Sequence, residues 1–423
     1  MSPIRPRVTV VGHRHDPEHH RLRDFLTRSA QPFSWIEADT AKANQLLARY
    51  SAPFPEFPVL IDSTGEVTTG ATVERVVEVW RMNAEPARSS YDLAIVGAGP
   101  AGLAAAVYAA SDGLSTIVLE RDIPGGQAGH TSFIENYVGF PDGIGGAELS
   151  RLAGKQAERF GAEVMVLRGV TGHSRDPDGP FRLDITGGSR VEASVAIVAP
   201  GMVWRRLDVD GMENMLGSGV YYGAGRSEAA QCGGDPVVVV GAGNSAGQAV
   251  MHLGNGGAHV TMVVRGDGLG KSMSAYLVDR IADHPLVDVR LRTEVEGVEA
   301  DGDGRLAGVR VRDREGGIDV LPSSALFLCL GGTPRTAWAA EGGVRVDPGG
   351  FIITGPDLLD AGRRPEDWPL ARDPLALETS VPGLFAAGDV RHGSTKRVAA
   401  AVGDGAIAVA LVHRRLEELL TTG

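Results

Sequence analysis

Two glycine clusters carry the first chemical signal in this chain. Residues 97–102 read Gly-Ala-Gly-Pro-Ala-Gly, between an apolar run at 93–96 and an alanine-rich stretch that follows. A strand turning on glycines straight into a helix aims the first N–H groups of that helix at a diphosphate. Gly97 permits the tight turn, Gly99 lets the backbone approach the anion, and Gly102 lets helix and strand pack closely. Pro100 and Ala101 open the helix. A second apolar run, 116–119, ends in Glu120, about twenty residues on, where a ribose-binding acid belongs. The pattern then restarts: the apolar run 236–240 leads into Gly241, Gly243, Asn244, Ser245 and Ala246. There the next strand, 259–264, ends in Arg265, with Lys271 shortly after. A basic residue where an acid would hold a ribose hydroxyl favours a 2′-phosphate, hence NADPH over NADH. Asp267, two residues from Arg265, tempers that preference.

The elements that position these motifs belong to a long chain. At 423 residues it predicts two or three domains. Hydrophobic residues at 43% and charged residues at 22% are ordinary for a globular protein, while the 58 glycines are roughly twice the average usage. No collagen-like period accompanies them, and many fall in the turns of the two βαβ units. A net charge of -12 argues against a nucleic-acid footprint or an anionic membrane surface. The two cysteines, Cys232 and Cys329, have no close spacing, so neither a disulfide framework nor a zinc site is indicated. No metal site is expected. The N-terminus lacks a signal-peptide pattern, and no apolar run reaches the ~18 residues of a membrane span, so a cytoplasmic location is expected.

Before the first motif, the pattern over residues 7–82 reads βαβαββα. Strands are predicted at 7–12, 34–37 and 59–62, a returning strand at 66–69, and helices around 22–26, at 41–50 and at 73–82. This order resembles the thioredoxin/glutaredoxin fold, and Phe57-Pro58 sits where that fold carries a cis-proline. Where the fold would carry its two thiols, the chain reads Gly12-His13-Arg14-His15-Asp16-Pro17-Glu18-His19-His20. The histidines are read as a free surface loop with a helix start at Asp16-Pro17 rather than as a metal site. The module is expected to serve interaction or dimerisation. A polar stretch, 83–90, links it to the rest.

Between and after the motifs, Gly126, Gln127 and Asn136 lie in a loop region, and 162–175 with 181–186 is predicted as an antiparallel pair around a turn. Asp301-Gly302-Asp303-Gly304 is read as a hairpin turn, since the rest of a calcium loop is missing. Late in the chain, 383–389 reads Gly-Leu-Phe-Ala-Ala-Gly-Asp, ahead of Lys396-Arg397-Val398-Ala399 and a helix.

Both glycine motifs, their order and this late stretch resemble the low-molecular-weight thioredoxin reductase family of flavoproteins, from residue 91 to the C-terminus. The resemblance implies an α/β architecture of two Rossmann-like domains: an FAD domain of two segments, 91–205 and 326–423, with an NADPH domain, 206–325, inserted between them. The thioredoxin/glutaredoxin-like unit then spans 1–84 and the linker 85–90. By position, Gly97, Gly99, Gly102 and Glu120 match the FAD diphosphate and ribose contacts. Gly126, Gln127 and Asn136 match flavin-side residues, and Gly388 and Asp389 the ribityl contact. Arg397, Val398 and Ala399 match the helix start facing the flavin pyrimidine, where the positive dipole end favours negative charge. Gly241, Gly243, Ala246, Arg265 and Lys271 resemble the NADPH site, and the family suggests a homodimer.

The departure is at the family's Tyr-Cys-Ala-Thr-Cys-Asp stretch. Here Tyr221-Tyr222-Gly223-Ala224-Gly225-Arg226 stands in its place, with Tyr222 and Gly225 where the thiols belong and Arg226 for the acid. Disulfide reduction needs an attacking thiolate and a second, resolving thiol. Pro200 also replaces a threonine in the family's Ala-Thr-Gly turn. The leading expectation is therefore an FAD enzyme that takes hydride from NADPH and passes electrons to a ferredoxin or flavodoxin, a quinone, oxygen or a small metabolite. Candidate residues near the flavin are His130, Tyr222, Arg226, His392 and Lys396, each with an ordinary structural alternative. Two other readings stay open: a non-catalytic redox or nucleotide sensor signalling through the N-terminal module, and disulfide reduction through Cys232 with an external thiol.

Overall fold

The computed structural model describes residues 7–14, 16–29, 31–50, 56–80, 82, 85–131, 133–176, 179–212, 215–223, 232–302 and 305–422. The first of its three units is a mixed four-stranded sheet in the order Phe33–Glu37, Val8–Gly12, Val59–Ile61, Val67–Thr68. The first two strands run parallel and the others antiparallel to their neighbours. Its helices, Pro17–Arg28, Ala41–Leu47 and Val73–Val79, each start on a side chain that accepts from the orphan N–H groups of the first turn. Asp16 accepts from the backbone of Glu18 and His19, Thr40 from Ala43 and Thr72 from Arg75. The Phe57-Pro58 peptide is cis.

The second unit holds a parallel sheet in the order Glu163–Met165, Thr116–Leu119, Ser90–Val96, Arg190–Val198, Leu384–Ala386. The last of these strands comes from the far end of the chain. Strands with apolar side chains on both faces need cover on both. The helices Pro100–Ser111 and Val398–Thr422 share the core on one side, with Ile95, Ala105, Val118, Phe385 and Val412. They approach closely because Gly405 has no side chain: a Cβ there would lie 2.2 Å from the Ala101 carbonyl oxygen.

Residues 162–175 do not form one strand. Glu163–Met165 joins the parallel sheet, and only Val170–Arg175 pairs antiparallel with Phe181–Ile185. The break is a left-handed Leu167 (φ 55°), held where Leu167 N donates to Asp122 O and Arg168 N to Glu120 O.

The third unit is a five-stranded parallel sheet in the order Val220–Tyr222, Ala325–Leu328, Pro236–Val240, His259–Val264, Val287–Leu291. Beside it lies the antiparallel set Thr293–Ala300, Leu306–Asp313, Ile318–Pro322. Ala325–Leu328 thus sits inside this sheet, between Val220–Tyr222 and Pro236–Val240, so the boundary expected at 325/326 belongs a few residues later. The true crossings are Met202–Trp204 and Gly332–Pro334, which pair antiparallel as a two-stranded ribbon between the units.

Candidate functional site

Each glycine motif is shaped as its chemistry requires. Gly97 has φ +102°, and a Cβ there would lie 2.3 Å from the Ala199 carbonyl oxygen. At Gly102 a Cβ would lie 1.9 Å from the Gly97 carbonyl oxygen, whereas Gly99 has nothing within 4 Å of its own. Close packing thus surrounds the first and third glycines, and open space the second. Gly99 caps the helix Pro100–Ser111 without a side-chain hydrogen bond, leaving its first N–H groups available to an anion. The second motif repeats this. A Cβ at Gly241 (φ +143°) would lie 2.5 Å from the Cys329 carbonyl oxygen, and Gly243, open on its side-chain face, caps Asn244–Asn255 without a side-chain bond.

Glu120 is buried, and its carboxylate clasps the turn. Oε2 accepts from Ala98 N at 2.7 Å and Oε1 from Asp122 N at 2.9 Å. Burial raises its pKa, and these two backbone donors work against the rise.

Both motifs open on one cavity of about 790 Å³. From the second unit come Gly99, Pro100, Ala101, Glu120, Gly126, Gln127, Asn136, Gly388, Asp389, Lys396, Arg397 and Val398; from the third come Tyr222, Gly243, Asn244 and Ser245. The cavity thus gathers most of the residues singled out in the sequence. Gln127 is fixed by donating from Nε2 to Met202 O at 3.2 Å, in the crossover ribbon. Lys396 Nζ donates to Asp389 O and Ser394 Oγ and lies 4.3 Å from the Phe351 ring centroid. Burial lowers the Lys396 pKa and raises that of Asp389.

His130, in the cavity wall, is desolvated enough to bring its pKa down to about 4. The Tyr222 hydroxyl accepts from Leu207 N at 3.1 Å, which ties the ring to the backbone.

Other candidates lie elsewhere. His392 is not in the cavity wall; its Nδ1 is 2.7 Å from Asp347 Oδ2 on a half-exposed ring. Arg226 lies outside the described residues. Gly97, Gly102, Gly241 and Ala246 act behind the cavity as packing positions, and Ala399 follows Val398 out of the wall. Arg265 and Lys271 are exposed beyond the end of His259–Val264. Asp267, which tempered the 2′-phosphate reading, is engaged by Arg292 at 3.0 Å and Arg314 at 3.3 Å.

Sequence reasoning missed several members. Trp204 and Arg335 flank the crossover ribbon, and Cys329 and Gln248 line the same space. Asp404 holds the Gly388 turn by accepting from Gly388 N at 3.0 Å and from Arg391 Nε at 3.1 Å. His20, Asp24 and Arg28 also line the cavity, although they belong to the N-terminal unit. The histidine run is therefore not a free surface loop. His19 is buried, its Nδ1 accepting from His13 N at 2.8 Å, and His20 is part of the cavity wall. No single-element pattern announces that docking. Among the described residues, no group of three or more His, Cys, Asp or Glu is placed to hold a metal ion, and no helix is long and apolar enough to cross a membrane.

Comparison with known proteins agrees with this geometry. The family described as pyridine nucleotide-disulphide oxidoreductase matches residues 91–405. A thioredoxin reductase of Listeria monocytogenes is 33% identical over 337 residues, covering 78% of this chain and 95% of that protein. A mitochondrial thioredoxin reductase 1 of Arabidopsis thaliana is 34% identical over 345 residues, 77% of this chain and 84% of its own. Among solved structures, thioredoxin reductase of T. acidophilum matches with a TM-score of 0.67 at 27% identity, covering 77% of this chain and 99% of its own.

Proposed function

We propose that this chain, which belongs to the pyridine nucleotide-disulphide oxidoreductase family, is an NADPH-dependent FAD oxidoreductase whose electrons leave for an acceptor other than a dithiol. Its thioredoxin reductase relatives form a group that uses FAD and NADPH. Bound FAD supplies hydride acceptance and onward electron transfer, chemistry that no side chain here provides.

The residues present fit such a cofactor. Two uncapped helix starts face one cavity, and buried donors there lack partners among the described residues: Arg28 Nε, Arg335 Nε and Asn244 Nδ2. Buried donors left unmade are costly, so a polar ligand completes them. Gly99, Glu120 and Asp389 would hold the FAD, with Arg397 and the start of Val398–Thr422 beside it. Gly243 to Ser245 would hold the NADPH diphosphate, and Arg265 with Lys271 the 2′-phosphate. Tyr222, Trp204 and His130 surround the shared space with rings that exclude water.

The observation that carries the acceptor reading is the state of the thiols. Cys232 is buried in the core of the third unit, with Val237 and Leu253. Cys329 is buried too, and burial pushes its thiol up to about 12. A thiolate is the nucleophile in disulfide exchange, and a thiol so buried supplies almost none at neutral pH.

Anaerobic mixing with NADPH tests the scheme. Flavin absorbance bleaches, returns with oxygen, a quinone or ferredoxin, and no thioredoxin or model disulfide is reduced. No bleaching would refute the oxidoreductase reading. The names of the relatives favour the second reading, disulfide reduction; NADPH-driven disulfide turnover that disappears in Cys232→Ser would establish it.

A further inference from the structure

One face of the helix Pro17–Arg28 carries His20, Asp24 and Arg28 at positions i, i+4 and i+8. Their side chains therefore stand in a row about 12 Å long. All three line the cavity shared by the two nucleotide motifs. The row meets a different part of the chain at each step. Arg28 Nη1 donates to Asp122 Oδ2 at 2.8 Å. Asp24 Oδ1 lies 3.8 Å from His130 Nδ1. The His20 ring centroid lies 5.1 Å from that of Tyr221. Next to it, Gly217 leaves room for the helix: a Cβ there would lie 3.0 Å from the His20 ring and 3.4 Å from Pro17 Cα. Behind the row, Ile123 of the second unit is built into the hydrophobic core of the N-terminal unit, with Leu22, Leu26 and Trp80.

We propose that this helix is a wall of the FAD site, closing the cleft at its Glu120 end and presenting Arg28 to the phosphates of the cofactor. The proposal rests on the FAD assignment and goes beyond it, because it places part of the binding site in a unit outside the residues that match the family. Asp122 is two residues past Glu120, so the Arg28–Asp122 pair delivers the guanidinium beside the ribose-binding position. Arg28 Nε is buried without a partner among the described residues, and so is Arg335 Nε from another wall of the same cavity. Desolvation, then the charge of Arg121 and more weakly that of Arg28, lowers the pKa of Arg335, with Glu120 and Asp122 acting against them. A dianionic diphosphate would relieve both the repulsion and the unmade hydrogen bonds.

The test measures how fast the holoprotein releases FAD on dilution, from flavin fluorescence, together with quenching of the bound flavin by iodide. Arg28→Ala is expected to release FAD at least about tenfold faster and to admit iodide. Arg21→Ala, on the exposed face and paired with Glu18 and Glu74 of its own unit, is expected to behave as the parent protein. Asp122→Asn breaks the same pair from the other side without altering the helix, and it carries the test if Arg28→Ala does not fold. Release at the parental rate in Asp122→Asn and in folded Arg28→Ala would overturn the proposal. So would equal acceleration by Arg21→Ala. A parent protein that binds no FAD would refute the cofactor assignment itself, a failure visible before any variant is compared.

Discussion

Arg265 stands exposed at the end of His259–Val264, with Glu294 Oε1 4.0 Å from its Nε. At that distance and exposure the carboxylate holds it weakly, so the guanidinium is free to meet a 2′-phosphate. Removing it should act on the phosphate alone. In Arg265→Ala, KM for NADPH is expected to rise about tenfold while KM for NADH stays put, since a charge-assisted contact contributes on the order of 1.5 kcal/mol. Steady-state kinetics with both nucleotides checks this, and equal losses would contradict it. The place of Arg265 was legible because a strand end after a glycine motif is a fixed address. Arg292 and Arg314, which neutralise Asp267, were not, because they reach it from turns distant in sequence.

The helix Pro17–Arg28 shows what an element adds to its residues. Its start was readable from Asp16-Pro17, and the i, i+4, i+8 spacing was present in the sequence. Which way the row faces depends on docking against Ile123 and Tyr221, which no local pattern encodes. Docking also changes the chemistry of its neighbours. Desolvation and the charge of Arg23, against the opposing pull of Asp24, bring the His20 pKa to about 4, and desolvation beside Arg28 does the same to His130. Both values lie below the ordinary 6.5. Between pH 6.5 and 4 the unfolded chain therefore takes up protons that the folded chain refuses. The stability tied to these rings is full above the upper value and falls as pH drops toward the lower one. Melting temperatures across this window should fall more steeply for the parent protein than for a His20→Gln/His130→Gln double variant; parallel curves would contradict the assignment.

At the scale of the whole molecule, a partly buried ion cluster closes the chain. Arg372 donates to Glu378, which is 0% exposed, at 2.6 and 3.1 Å, and to Glu418 at 2.6 and 2.9 Å. Glu378 also accepts from Leu375 N and Gly383 N, just ahead of Leu384–Ala386, while Glu418 lies on the C-terminal helix. Arg372→Ala would leave a buried carboxylate without its cation, and about 3–5 kcal/mol of stability should be lost. Urea unfolding followed by flavin fluorescence would measure it, and a loss under about 1 kcal/mol would mean that water reaches Glu378. Nothing in the sequence marks Arg372 as special, because its partners meet only in the folded state. The two Rossmann-like units, by contrast, were readable at this scale, since each begins with an apolar strand, a glycine turn and a helix. Their boundary was misplaced by a few residues because Ala325–Leu328 and Leu384–Ala386 are both short apolar runs, and only pairing shows which sheet each one enters.

The split of the second unit also orders its birth on the ribosome. Domains fold as units while the chain is made, and the third unit has all its strands in hand once Ala325–Leu328 has emerged. Its neighbour must wait for Leu384–Ala386 and the C-terminal helix, with its strand Arg190–Val198 missing a partner along the Ala196–Val198 edge until then. With Leu330 just clear of the ribosome, the sheet of the third unit is thus complete beside a second unit that still lacks one strand and its last helix.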